Sequence, residues 1–256
     1  MSEPALHIET EGSGPSVILA HGFGGSARNF RPQARALRDR FKVVTYDARG
    51  HGRSQAPEDP GAYMLEHLIA DFGRVVNGTG DDQVVAGGLS LGAVTALGFA
   101  LAHPERVRGI TLASFPSMNK RDWALGFANA IRDRGLDAAG AEFAWGERSR
   151  FDLKGAELIR QGFLEHPPHG LEAILRNVLS QLPPADVLEA RLRALDVPAL
   201  VIAGEDDTDA LAPSRRLVEL LPRAELVVVP RAGHVVNLVR PAEFNTAVRG
   251  FLERLA

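Results

Sequence analysis

The stretch VVAGGLSLG, from Val84 to Gly92, decides the fold of this chain. Its first residues are β-branched or small, which is typical of a strand buried on both faces of a sheet. Its end opens the apolar segment Leu91–Ala102, which has the length and composition of a helix. Between strand and helix lies the pattern G-x-S-x-G, formed by Gly88, Ser90 and Gly92. Small residues on both sides of the serine permit a sharp strand-to-helix turn that exposes its hydroxyl, so we predict such a turn at Ser90.

Short apolar runs alternate with helical patterns on both sides of this turn, which predicts an α/β fold with a mostly parallel sheet covered by helices on both faces. The predicted core strands are Ser16–Ala20, Lys42–Tyr46, Gln83–Gly87, Val107–Ala113, Ala199–Ala203 and Glu225–Val229, with Leu6–Glu9 as a further edge strand. The predicted core helices are Arg31–Asp39, Tyr63–Asn77, Leu91–Ala102, Pro213–Leu221 and a last helix with Pro241 in its first turn.

One connection is much longer than a crossover between parallel strands requires, which is a helix and two short loops. From Ser114 to about Val197 no segment has a strand pattern. Four segments there have helical apolar spacing, namely Trp123–Asp133, Ala138–Trp145, Gly155–Leu164 and Leu171–Leu182. We therefore predict a helical lid, residues 116–195, inserted into a core formed by residues 1–115 and 196–256.

The surroundings of Ser90 resemble the α/β-hydrolase superfamily, and four further segments share its motifs. They are HGFGG from His21, similar to the strand-to-oxyanion loop; DARGHGRS from Asp47; HPERV from His103; and Gly233-His234, similar to the histidine loop. The resemblance covers about two thirds of the chain and fails only in the lid. It implies a serine hydrolase similar to esterases, enol-lactonases and meta-cleavage C–C hydrolases, and it is nearly silent on the substrate.

A serine hydroxyl is a weak nucleophile near neutral pH and needs an adjacent base that a third group orients. Of the eight histidines, His234 lies in the loop directly after the last predicted strand. Catalytic groups collect at the carboxyl ends of parallel strands, so we predict that His234 is the base.

The acid lies in the loop that follows the strand Ala199–Ala203, which contains Gly204 and three aspartates. In similar proteins the acid often lies three residues after such a glycine, which selects Asp207. It also often lies four residues before a proline, which selects Asp209 because Pro213 follows. Asp207 is the first choice and Asp209 the second, because Gly204 directly follows the strand whereas Pro213 lies beyond a loop of variable length.

The oxyanion hole is predicted to consist of two backbone N–H groups, those of Phe23, after His21-Gly22, and of Leu91, after the nucleophile. Neither donor depends on its side chain.

The lid carries the aromatic residues Trp123, Phe127, Phe143, Trp145, Phe151 and Phe163. At helical spacing, most are expected to pack the lid onto the core. We predict that Trp123, Phe127, Trp145 and Val235 line an apolar substrate pocket suited to an acyl or aromatic group. The lid has no cluster of arginines that would hold a carboxylate, which disfavours diacid substrates.

Composition excludes several functional classes. The chain has 256 residues, a formal net charge of −3 and no cysteine. This charge gives no electrostatic reason to expect nucleic acid or an anionic membrane as a partner, and disulfides, thiolate zinc sites and a cysteine nucleophile are excluded. We expect no cofactor and no metal, since His166 and His169 have no evident third ligand. Without a signal or membrane segment in the sequence, we expect a cytoplasmic monomer or homodimer acting on a small molecule.

Three functional hypotheses follow. The leading one is hydrolysis of a carboxylic ester, lactone or thioester through an acyl-enzyme on Ser90. The second is C–C bond hydrolysis of a vinylogous diketone with the same triad, and the third is a receptor-like ligand-binding protein that retains the triad. Dehalogenase and epoxide-hydrolase activities are disfavoured, because those enzymes have an aspartate at the position of Ser90.

Overall fold

A seven-stranded sheet forms the centre of the protein, with strand order β1-β3-β2-β4-β5-β6-β7. The computed structural model describes residues 3–117, 120–145, 153–183 and 185–255. All neighbouring strands are parallel except the antiparallel pair β1 and β3. The strands are β1 (Ile8–Glu11), β2 (Ser16–Ala20), β3 (Lys42–Tyr46), β4 (Val84–Leu89), β5 (Val107–Ala113), β6 (Ala199–Gly204) and β7 (Ala224–Val229).

Helices connect the strands and cover both faces of the sheet. They are α1 (Arg31–Leu37), α2 (Leu65–Thr79), α3 (Leu91–Ala102), α4 (Arg121–Phe143), α5 (Leu153–Leu164), α6 (Pro168–Asn177), α7 (Ala185–Arg193), α8 (Leu211–Leu220), α9 (Val236–Val239) and α10 (Pro241–Leu255). Within the described ranges, no helix combines the length and apolar character needed to cross a bilayer.

Strand β2 shows why these strands read as continuous apolar runs. Val17 and Leu19 pack with side chains of α1 and α10 on one face of the sheet. Ile18 and Ala20 pack with side chains of α2 and α3 on the other face. All four are at most 3% exposed, so both faces of the strand are buried and neither tolerates a polar residue. The predicted α/β fold class is confirmed.

The six predicted core strands are present with at most small shifts in their ends, and the edge strand begins two residues later than predicted, at Ile8. The first two predicted lid helices are the two halves of α4, which is interrupted at Gly135, where φ is 81°. Helix α6 begins at Pro168, three residues before the predicted segment Leu171–Leu182. Proline fits the first helical turn, because an N–H at that position would have no acceptor within the helix and its absence costs no hydrogen bond.

Two helices were not predicted. Helix α7 contains three charged side chains in its last five residues and has a weak apolar pattern, and α9 is only four residues long. Helices α4 to α7 all lie between β5 and β6 in the chain. The division into a core and a lid with the boundaries given above stays a prediction, and Phe151 lies outside the described residues.

Parallel strands place the loops at their carboxyl ends on one edge of the sheet. His21 follows β2, Ser90 follows β4, Asp207 lies shortly after β6, and His234 lies shortly after β7. Since β2, β4, β5, β6 and β7 are parallel, these loops meet at the same edge.

Candidate active site

Ser90 lies in the sharp turn that the sequence predicts between β4 and α3. Its φ is 53° and its ψ is −114°, a combination that residues with a side chain rarely adopt. Its backbone N–H donates a hydrogen bond to the Ala113 carbonyl at 2.9 Å, so the neighbouring strand β5 holds the strained residue in place.

The two glycines of the motif are required by close backbone contacts. A Cβ on Gly92 would lie 2.0 Å from the carbonyl oxygen of Ala20, and a Cβ on Gly88 would lie 2.4 Å from the carbonyl carbon of Gly92. Both distances are far below van der Waals contact. The G-x-S-x-G pattern is therefore a consequence of packing the start of α3 directly against β2 and β4.

The loops after β2 and β4 each contain a backbone N–H group for which the described residues provide no acceptor, that of Phe23 and that of Leu91. Leu91 is the first residue of α3, so its N–H has no carbonyl acceptor within the helix. In the loop after β2, the N–H of Gly24 donates to His51 and that of Gly25 donates to the Gly22 carbonyl. Among the described residues, by contrast, the N–H of Phe23 has no hydrogen-bond acceptor.

His234 and Asp207 form a buried pair. The distance from His234 Nδ1 to Asp207 Oδ2 is 2.8 Å, and Asp207 is 1% exposed. The other carboxylate oxygen, Oδ1, accepts a hydrogen bond from the Ala210 N–H at 3.2 Å. Burial raises the pKa of Asp207, but the hydrogen bonds from His234 and Ala210 and the nearby positive charge of Lys120 together lower it by more, so the carboxyl group stays ionised at neutral pH. Because an ionised carboxylate only accepts, the proton of the neutral His234 ring lies on Nδ1 and the ring lone pair lies on Nε2.

Contacts between the loops after β5, β6 and β7 hold this pair in place. A Cβ on Gly204, at the end of β6, would lie 2.2 Å from the carbonyl oxygen of Ala232, so only glycine permits the approach of the histidine loop. Ser114 Oγ donates a hydrogen bond to the carbonyl of His234 at 2.7 Å, and Ser114 N–H donates to Ile202 at 2.8 Å. The sequence analysis did not identify Ser114, because nothing in its neighbourhood marks it apart from its position just after a strand.

Ser90 and His234 line one cavity, together with Phe23 of the loop after β2. Of the predicted pocket residues, Trp123, Phe127 and Val235 line it as well, and so do Phe143 and Phe163. Trp145 is not among the described residues that line the cavity. Its ring packs so closely on Gly140 that a Cβ there would lie 1.8 Å away, and it meets the ring of Phe163 edge-on at 5.3 Å between centroids.

The two candidate acids have different surroundings. Asp209 lines the cavity, and its Oδ2 accepts a hydrogen bond from Lys120 Nζ at 3.3 Å, whereas Asp207 is hydrogen-bonded to His234. Lys120 also lines the cavity, and sequence reasoning did not identify it. It precedes α4 in a segment without any motif, and only folding brings it near Asp209.

Three buried histidines, His21, His51 and His166, lie close together at the loop after β2. The ring centroids of His21 and His51 are 4.9 Å apart, and those of His51 and His166 are 5.1 Å apart. His51 Nε2 accepts from the Gly24 N–H at 3.1 Å, His166 Nε2 donates to the Gly24 carbonyl at 2.9 Å, and His166 Nδ1 accepts from the Gly52 N–H at 2.8 Å. Burial lowers the pKa of His51 well below its ordinary value and that of His166 to about 4, so both are neutral at pH 7.

These ring nitrogens are already occupied by backbone partners. In the part of the chain that the structure describes, no group of three or more histidine, aspartate or glutamate side chains could hold a metal ion. His169 is separated from His166 by Pro167 and Pro168, and its Nε2 lies 3.3 Å from the Ala56 carbonyl oxygen.

Known proteins resemble this chain over nearly its whole length. A protein of Azorhizobium caulinodans assigned the name carbamate hydrolase RutD is 31% identical, over 96% of this chain and 94% of its own length. A thermophilic esterase from Thermogutta terrifontis superposes with a TM-score of 0.87 and 27% identity, over 98% of this chain and 94% of its own. The enol-lactonase from Burkholderia xenovorans LB400 superposes with a TM-score of 0.85 and 25% identity, over 98% of this chain and 97% of its own. The sequence profile of the family described as alpha/beta hydrolase fold matches residues 15–241, and the chain belongs to this family.

Proposed function

We propose that this protein is a serine hydrolase that cleaves a carboxylic ester, a lactone or a thioester through an acyl-enzyme on Ser90. One observation carries the proposal: Ser90 and His234 line the same cavity, and His234 Nδ1 is hydrogen-bonded to the buried Asp207 at 2.8 Å. A hydroxyl, a base and a carboxylate that orients the base are the groups that an activated serine nucleophile requires.

The proposed reaction begins with attack of Ser90 Oγ on the carbonyl carbon of the substrate. His234 takes the serine proton at Nε2, because its Nδ1–H is held by Asp207. The N–H groups of Phe23 and Leu91 receive the negative charge that develops on the carbonyl oxygen, each contributing about 3 kcal/mol in the transition state. His234 then protonates the leaving alcohol, and the acyl group stays on Oγ.

The second half of the reaction repeats these steps with water. His234 removes a proton from a water molecule, which attacks the acyl carbon, and the oxyanion is held by the same two N–H groups. The proton passes from His234 back to Ser90 Oγ as the carboxylic acid leaves.

We propose in addition that residues 116–195 act as a lid over this site. The cavity that Ser90 lines is also lined by Trp123 and Phe127 of α4 and by Phe163 of α5. Their apolar rings would enclose the acyl or alcohol group of the substrate and exclude bulk water from the acyl-enzyme.

The names of the relatives support acyl-carbon chemistry and add a second candidate substrate. The relatives are named as a carbamate hydrolase, an esterase and an enol-lactonase. A carbamate would be attacked by Ser90 in the same way and would leave a carbamoyl group on Oγ. The 31% identity to the protein named carbamate hydrolase, over 96% of this chain, favours testing it beside the esters.

The proposal is tested by turnover of a panel of substrates with purified wild-type protein, Ser90→Ala and His234→Ala. The panel contains p-nitrophenyl esters of increasing chain length, a p-nitrophenyl carbamate, an aromatic lactone and a vinylogous diketone from ring cleavage. We expect turnover of an ester, lactone or carbamate that falls by about 10⁴-fold or more in both variants. Ser214→Ala is the matched control, because this buried hydroxyl has no hydrogen-bond partner among the described residues and does not line the cavity.

Unchanged turnover in both Ser90→Ala and His234→Ala would refute the proposal. Selective turnover of the diketone would replace ester hydrolysis with C–C bond hydrolysis. Stoichiometric labelling of Ser90 without turnover of any compound would support the receptor-like alternative.

A further inference from the structure

The cavity beside Ser90 is mostly apolar but contains one ion pair. Lys120 and Asp209 both line it, with Nζ and Oδ2 3.3 Å apart. Their side chains are 13% and 19% exposed, so the pair is largely removed from bulk water. Lys120 Nζ also lies 5.6 Å from the centroid of the Trp123 ring. The ion pair therefore occupies part of the surface that a bound substrate would meet.

We propose that Asp209 is a specificity-determining residue: it neutralises Lys120 and thereby restricts the site to esters that carry no carboxylate near the reacting group. This inference rests on the proposed serine-hydrolase function. It also separates the roles of the two aspartates of one loop, since Asp207 orients the base and Asp209 selects the substrate.

The electrostatic argument starts from Lys120. Among the described residues that line the cavity, Lys120 is the only lysine or arginine. An ammonium group against an apolar wall attracts a carboxylate more strongly than one in bulk water, because the effective dielectric constant there is lower. Without a carboxylate partner, Lys120 would be the natural anchor for an anionic substrate.

Asp209 takes the place of that anion. A second carboxylate in the cavity would have to share Lys120 with Asp209 and would be repelled by it at short range. The ionised Asp207 lies behind His234 and adds to the negative potential. A neutral acyl chain meets none of these costs and gains from contact with Trp123 and Phe127.

Replacing Asp209 and replacing Lys120 should change the preference for neutral over anionic esters in opposite directions. Asp209→Asn keeps the size of the side chain and removes its charge, which leaves Lys120 free to bind a substrate carboxylate. Lys120→Met keeps much of the apolar stem and removes the positive charge beside Asp209, which strengthens the repulsion of anions. A residue with a merely structural role would not shift the preference in opposite directions from its two ends.

The test compares two substrates that differ in one charge, p-nitrophenyl methyl adipate and p-nitrophenyl hydrogen adipate. The measured quantity is the ratio of kcat/KM for the neutral ester to that for the anionic ester, at low ionic strength. We expect wild-type protein to favour the neutral ester by about tenfold or more. Asp209→Asn lowers this ratio by about tenfold, mainly through KM for the anionic ester, and the effect shrinks as salt is added.

Two further variants make the result specific. Lys120→Met raises the ratio above that of the wild type, and the double variant Lys120→Met with Asp209→Asn removes the gain that Asp209→Asn alone gives to the anionic ester. Circular dichroism of each variant confirms folding, and the two single variants provide independent readouts if one of them is unstable.

A wild-type preference for the anionic ester, or an unchanged ratio in both single variants, would overturn the inference. In that case Ser90-dependent turnover would persist and the proposed function would stand. If neither ester is hydrolysed in a Ser90-dependent manner, the proposed function fails and this inference fails with it.

Discussion

His166 makes the fold sensitive to acid in a way that can be calculated. The side chain is 3% exposed and joins two loops, because its Nδ1 accepts from the Gly52 N–H and its Nε2 donates to the Gly24 carbonyl. A protonated imidazole would carry a hydrogen on Nδ1, facing the Gly52 N–H. The folded protein therefore requires the neutral ring at this position.

The magnitude follows from the pKa. Burial lowers the pKa of His166 from 6.5 to about 4, although the hydrogen bond to the Gly24 carbonyl opposes the shift. Since the folded-state pKa lies below the unfolded-state value, the unfolded chain takes up the proton first as the pH falls. The stabilisation by neutral His166 is complete above about pH 6.5 and decreases toward pH 4, at about 1.4 kcal/mol per pH unit. Between pH 7.5 and pH 4.5, this residue accounts for a loss of about 2 to 3 kcal/mol in the free energy of unfolding.

The assay is urea unfolding at pH 7.5 and pH 4.5 of wild-type protein and of His166→Asn, in which Oδ1 can still accept from the Gly52 N–H but cannot be protonated. We expect the variant to be less stable at pH 7.5 and to lose about 2 to 3 kcal/mol less than the wild type on acidification. His169→Asn, a neighbouring side chain that is 40% exposed, is the matched control and should lose as much as the wild type. Equal losses in the wild type and His166→Asn would refute the reasoning.

Two further predictions concern the acid loop and the turn at the nucleophile. Asp207→Asn should reduce kcat for a neutral ester by about 10³- to 10⁴-fold, because the amide no longer selects the productive tautomer of His234. The reduction of kcat by Asp209→Asn should be smaller by a factor of at least about 100. Similar reductions of kcat in the two variants, measured by steady-state kinetics, would mean that the acid is misassigned. Gly92→Ala should destabilise the protein by about several kcal/mol or prevent folding, because the added Cβ would lie 2.0 Å from the carbonyl oxygen of Ala20. Gly78→Ala is the matched control, since a Cβ there would have nothing within 4 Å, and it should stabilise helix α2 by about 0.5 to 1 kcal/mol. Thermal unfolding separates these two outcomes, and a melting temperature for Gly92→Ala equal to that of the wild type would contradict the close packing at the turn.

The sheet could be predicted from the sequence because both faces of its parallel strands are buried. A strand such as β2, in which every residue is buried, appears as an unbroken apolar run. Because the strands are parallel, the loops that contain Ser90, Asp207 and His234 lie at the same edge of the sheet, at the carboxyl ends of the strands. The acid was harder to assign, since the spacing from Gly204 and the spacing to Pro213 selected different residues. In the structure, the aspartate tied to the glycine at the strand end, Asp207, is the one hydrogen-bonded to His234.

Contacts between distant loops could not be predicted from local patterns. Lys120 is 89 positions from Asp209, and His166 is 142 positions from Gly24. Neither residue belongs to a motif, and each gains its role only when the segment after β5 folds against the core. Trp145 was predicted to line the pocket for the same kind of reason. Its helical spacing did not indicate that its ring would instead pack on Gly140.

The central claim is that the hydroxyl at position 90 is the reacting nucleophile, and covalent labelling tests it most directly. Wild-type protein is treated with a fluorophosphonate, and the modified residue is identified by peptide mass spectrometry, with His234→Ala as the comparison. We predict one phosphonyl group per chain on Ser90, formed much more slowly in His234→Ala and prevented by prior incubation with a hydrolysable ester. A label on another residue, or ester turnover that persists after Ser90 is fully modified, would contradict it.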